Sequence, residues 1–194
     1  MKQQKALLVM DYINEIVHQE GKFKGKGYAD FCEQQKTLEN VSEVIKKMRA
    51  LNGHIIYVAV GFSSDYSDAP KNSVLFEKAP TFKALQIGTW ATEFHSALDV
   101  KEADFVLKKN RISPFSNPAL DEYLTKNNIN ELYLAGVATD LVVQSAARDA
   151  HDKDYIVNVV SDCCAAGSMK DHEDALENLK KFVKVDTYKN LFVP

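Results

Sequence analysis

Short apolar runs alternate along this chain with stretches whose apolar residues recur every three or four positions. Ala6–Met10, His54–Val60, Asp104–Lys108, Glu131–Ala135 and Tyr155–Val160 read as strands, the first of them buried and parallel and ending at Asp11. Leu38, Val41, Val44, Ile45, Met48 and Leu51 mark a helix over about residues 33–51, which Asn52-Gly53 then stops. A short helix is expected near Ala91–Leu98, one through Leu120 and Tyr123, one reaching about His151, and a last near Lys170–Lys181 before Val183–Val185. Residues 61–88, with Ser63-Ser64-Asp65, Pro70 and Pro80, read as loop. Strands alternating with helices, with no repeat or linker, predict a single domain over 1–194. Its fold class is α/β, a three-layer α/β/α sandwich on a mostly parallel sheet of about six strands.

Composition narrows the setting. A chain of 194 residues, 45% hydrophobic and 26% charged, can bury one core. The net charge of −3 gives no reason to expect nucleic acid. No apolar run reaches the length of a membrane span, and Met1–Lys5 leads into a strand rather than a signal peptide, so no membrane is expected. Cys32, Cys163 and Cys164 are an odd number with two adjacent, a pattern of reduced thiols in a cytoplasmic protein.

Ligands of an open parallel sheet sit beyond the carboxyl ends of its strands. Asp11 closes the first strand, Lys108-Lys109 closes the third, and Gly136–Val142 follows the fourth. An acid, a base and a turn with exposed amides are thereby candidates to surround one small substrate. Each also has an ordinary reading, as a turn or cap residue for Asp11 and as solvated side chains for the lysines. The turn after Gly136 would suit a thiolate, because free N–H groups lower a cysteine pKa there. Position 142 is Val, which has no lone pair and no proton to give. The histidines show no close metal spacing, and 61–68 has none, so neither metal nor other cofactor is expected.

The order and spacing of these segments resemble the isochorismatase-like hydrolases, also called cysteine hydrolases, over nearly the whole chain. Ala6–Asn14 is similar to the family's opening strand, Val106–Phe115 to its lysine segment, Gly88–Glu93 to its middle segment, Gly136–Val143 to its signature turn and Val159–Ala166 with His172 to the region after the fifth strand. The resemblance implies that Asp11 and Lys109 are catalytic and that the Val137–Ala138 peptide is cis. It further implies that the backbone N–H groups of Ala138 and Val142 form an oxyanion hole. The family's nucleophilic cysteine is Val142 here, so covalent attack from that position is excluded. Cys163 and Cys164 follow another strand and read as small buried hydrophobes.

Members of this family that cleave a vinyl ether need no nucleophile: a carboxylic acid protonates the enol-ether carbon and water captures the oxocarbenium ion. The expectation is therefore a small-molecule hydrolase in which Asp11 and Lys109 carry acid-assisted hydrolysis, with vinyl-ether cleavage one candidate. The alternative is a catalytically silent relative that binds a small ligand or a protein. Trp90, Arg111, Phe115 and Thr139 are the candidate substrate-binding residues, Arg111 as a clamp for a carboxylate or equally as a surface residue. Core packing is the competing reading for the aromatic pair. A homo-oligomer is expected from the resemblance.

Overall fold

The computed structural model describes residues 4–192, so Met1–Gln3 of the segment leading into the first strand lie outside it. Six strands, β1 Gln4–Met10, β2 His54–Val60, β3 Phe105–Lys109, β4 Ile129–Gly136, β5 Ile156–Val160 and β6 Lys184–Asp186, form one sheet in the order β3-β2-β1-β4-β5-β6. Every pairing is parallel. Alternation along β1 shows why the sheet needs two covers. Leu7 and Val9 enter one apolar cluster, and Ala6, Leu8 and Met10 enter the other.

Among the described residues, eight α-helices follow in chain order: α1 Asn14–Val17, α2 Tyr28–Gln34, α3 Thr37–Ala50, α4 Ala79–Phe82, α5 Pro118–Lys126, α6 Gln144–Asp152, α7 Met169–Leu179 and α8 Tyr188–Leu191. Phe31 of α2 and Val41, Val44, Ile45 and Met48 of α3 pack on the Leu7 side. Leu120 and Leu124 of α5, Ala146, Ala147 and Ala150 of α6 and Leu179 of α7 pack on the Ala6 side. The helix expected over 33–51 is two helices, broken at Lys36, whose φ of 54° a continuing helix forbids. The one expected near Ala91–Leu98 is a single tight turn, Trp90–Thr92. None of the described helices is long and apolar enough to cross a membrane.

The strand order reverses direction between β1 and β4, and there the crevice of such a sheet opens. Register makes the location specific. Met10 pairs with Gly136 and with Val58, and Val60 pairs with Lys109. Asp11, Val137 and Lys109 are thereby brought to one end of the sheet. Gly136 permits the close approach of β4 to β1: a Cβ there would lie 3.1 Å from Met10 Cβ and from Val143 Cγ2.

Candidate active site

Asp11 leaves β1 with φ at 62°, in the left-handed region that Asp tolerates better than most side chains. Its N–H still donates to Val58 O at 2.8 Å, so the turn begins while the backbone is held by β2. The carboxylate is satisfied on both oxygens. Oδ1 accepts the Val60 N–H at 2.8 Å and Oδ2 accepts Lys109 Nζ at 2.7 Å. Lys109 Nζ also donates to Arg111 O at 3.1 Å. Acid and ammonium are almost fully buried, with side-chain exposures of 5% and 1%. Burial pushes the Asp11 carboxyl above the usual carboxylate range, while the Lys109 charge and the two hydrogen bonds act in the opposite sense.

A cavity of about 70 Å³ adjoins this pair. Asp11, Val60 and Lys109 form its floor, and Val137, Ala138 and Val142 form the side contributed by the turn after β4. The Val137–Ala138 peptide is cis. The turn after it is wider than an α-helical turn: Val143 N–H donates to Ala138 O at 3.2 Å, five residues back. Val142 is buried and its side chain joins the apolar cluster of Met10 and Val143.

The remaining walls come from two segments without long regular structure. Phe23 and Tyr28 arrive from the segment after α1, and Leu75, Phe76 and Leu85 from the segment after β2. Glu15 ties both together. Its backbone carbonyl accepts Phe23 N–H at 3.1 Å, and its buried carboxylate accepts Leu85 N–H. Lys22 lies 3.4 Å from the other carboxylate oxygen and donates to Lys83 O at 2.7 Å. Lys83 and Leu85 both have positive φ, so one carboxylate anchors a stretch of unfavourable backbone. Gly21 lets this segment fold onto α1, since a Cβ there would sit 2.4 Å from Glu15 O.

Of the residues singled out by sequence, Asp11, Lys109, Ala138 and Val142 meet at the cavity. Trp90, Arg111, Phe115 and Thr139 do not line it. Trp90 is 43% exposed and stands edge-on to His18, with ring centroids 5.2 Å apart. Arg111 is exposed, and its Nη1 donates to Asp68 O and Asn110 O on the backbone of the neighbouring loops. Phe115 lies within the tight turn Pro114–Ser116, which directs it into the α5–α6 cluster, against Tyr155 and beneath Lys153 Nζ. Thr139 is fully buried and its Oγ1 pairs with His172 Nδ1 at 2.8 Å. Burial holds His172 below the usual histidine range, which favours the neutral ring in that contact.

None of the cysteines offers a displaced nucleophile. All three are buried, and burial pushes the thiols of Cys32 and Cys164 up to about 12 and raises that of Cys163 well above the usual thiol range. The sequence reading missed the Val60 N–H, although its place at the end of β2 carried the signal. It also missed Phe23, Tyr28, Leu75, Phe76 and Leu85, for which no local pattern exists.

An isochorismatase domain model matches residues 5–189. The chain is 30% identical to ureidoacrylate amidohydrolase RutB of Acinetobacter baylyi over 193 residues, 93% of this chain and 78% of that protein. An isochorismatase-like hydrolase from Alkaliphilus metalliredigens superposes with a TM-score of 0.80 at 26% identity, covering 97% of each chain. N-carbamoylsarcosine amidase from Thermoplasma acidophilum gives 0.75 at 25% identity, covering 95% of this chain and 96% of its own. The parallel sheet and the match over almost the whole chain identify this protein as a member of the isochorismatase-like hydrolase family.

Proposed function

We propose that this hydrolase cleaves a small molecule by acid assistance from Asp11 and Lys109, without a covalent intermediate at position 142. The observation that carries the reading is the buried Asp11–Lys109 pair, 2.7 Å apart, at the floor of an otherwise apolar cavity. A raised carboxyl pKa is what a general acid needs near neutral pH, and burial drives Asp11 in that direction. Asp11 gives its proton to the substrate, and the Lys109 ammonium stabilises the carboxylate left behind. For an enol ether the proton adds to the terminal carbon, and water then adds to the oxocarbenium carbon and returns a proton to Asp11. The hemiacetal collapses to a carbonyl compound and an alcohol.

The N–H groups of Ala138 and Val142 are the proposed holders of a substrate oxygen, a role that survives replacement of the side chain. Because the curated relative from Acinetobacter baylyi is named an amidohydrolase, small amides belong beside vinyl ethers as candidates. The proposed setting is cytoplasmic, as the three unpaired cysteines suggest, with no cofactor required, and the homo-oligomer is what the family resemblance implies.

Product release from wild type and Asp11→Asn tests the reading, with ethyl vinyl ether reporting acetaldehyde and small amides reporting ammonia. Acetaldehyde release that falls about 100-fold or more in Asp11→Asn is expected, that being the usual size of a general-acid contribution. The wild-type rate should also fall as pH rises past the elevated Asp11 value, since only the protonated acid acts. Asp11-dependent ammonia release would transfer the assignment to direct attack of water on an amide. Val142 in the nucleophile's place favours a second reading, a silent module that binds a small ligand or a protein, and absence of turnover on both classes would select it.

A further inference from the structure

The chemistry of the cavity wall narrows what can bind. Among the described residues, Asp11 and Lys109 are the only ionisable groups lining it apart from the Tyr28 phenol. The Lys109 ammonium already donates to Asp11 Oδ2 and to Arg111 O, which leaves it one N–H, at the floor and not against the walls. The nearest segments direct their cations elsewhere. Arg111 serves Asp68 O and Asn110 O, and Lys22 serves Lys83 O and faces Glu15. Lys24 and Lys26, which flank the wall residues Phe23 and Tyr28 in sequence, are exposed and do not line the cavity.

Away from the floor the lining is apolar: Ile16, Phe23, Phe76, Leu85, Ile112 and Leu141. A carboxylate drawn against these side chains would lose hydration without gaining a cation beside it, which is costly. An alkyl group would gain the same burial that holds the wall together.

We infer that the site takes a small substrate with one polar function toward Asp11 and an uncharged alkyl portion against the apolar wall. This rests on the reading of the cavity as the hydrolytic site and fixes the class of molecule that enters it. A carboxylate at the end of the substrate that meets the wall is disfavoured by the wall and not by the acid–base pair.

A matched pair of probes separates the terms. Butanamide and succinamate have the same chain length and amide, and differ by a terminal methyl against a carboxylate. Calorimetric titration of the wild type should show butanamide binding at least ~10-fold more tightly, since burial of an unpaired carboxylate is penalised. Leu75→Arg, at a wall position that is 48% exposed and tolerant of a polar side chain, should narrow or reverse that ratio. Succinamate binding as tightly as butanamide to wild type, or neither probe binding, overturns the inference. Because binding is read without turnover, a protein that selects butanamide yet hydrolyses nothing would defeat the proposed function and leave the inference standing.

Discussion

The floor of the cavity and its walls are built on different principles. The floor is Asp11, Val60 and Lys109, each at the end of a strand and each placed by the register of a fully parallel sheet. The walls are Phe23, Leu75, Phe76 and Leu85, carried by segments tied to α1 through Glu15, whose backbone carbonyl accepts Phe23 N–H and whose buried carboxylate accepts Leu85 N–H. A sheet end positions a charge pair through dozens of backbone hydrogen bonds shared with the core. A loop wall relies on a few contacts, so it can change while the floor stays.

The largest effects should come from breaking the floor. Asp11→Ala leaves the Lys109 ammonium buried without its partner, and a loss of about 3–5 kcal/mol is expected by urea unfolding. The double variant Asp11→Leu with Lys109→Met removes both charges and should recover most of that loss, because a buried pair replaced by apolar groups is often neutral. Sign follows from the direction of the shift. Asp11 titrates higher in the folded protein than in the unfolded chain, so its contribution is present at low pH and fades as pH rises through the folded value. The double variant should lack that slope. A double variant as unstable as Asp11→Ala would mean that the pair itself holds the strand ends together.

The contrast between floor and walls also marks what the sequence made legible. Apolar runs that end in a charged residue, as Ala6–Met10 does before Asp11, carry strand, boundary and candidate chemistry together. Lys109 could be distinguished from Lys108 by the family resemblance, and its inward direction follows from strand alternation: Lys108 is exposed and Lys109 buried. The walls carried no such mark. Lys83 and Leu85 take positive φ without being Gly or Asn, so the turn they form has no residue signature. Glu15 is an acidic residue on one helical turn, and nothing local separates it from a solvated one. Its burial is set by a partner 70 residues away, Leu85.

Intermediate effects should therefore come from Glu15. Glu15→Ala leaves Leu85 N–H without its acceptor and Lys22 without its counter-charge, an expected cost of about 1–3 kcal/mol. Glu15→Gln keeps an oxygen for Leu85 N–H and should lose less. Both should weaken butanamide binding while leaving the pH dependence set by Asp11 in place. A shift of that pH profile in Glu15→Gln would show that walls and floor are coupled.

The smallest effect on the site is expected from Phe115, whose position illustrates how sequence proximity misleads. It lies six residues after Lys109, yet the tight turn at Pro114–Ser116 sends its ring into the cluster of α5 and α6, 6.2 Å from Tyr155. Phe115→Leu trims a ring from that cluster without introducing a polar group, and about 1 kcal/mol of stability should be lost. Butanamide affinity and turnover should stay within about twofold, because the ring does not line the cavity and distant sites usually act independently. A selective loss of affinity, with stability unchanged, would show instead that the ring turns toward the ligand when the cavity fills. The wall would then include a residue that the empty cavity keeps in the core, and the division between a register-built floor and a loop-built wall would need redrawing at that position.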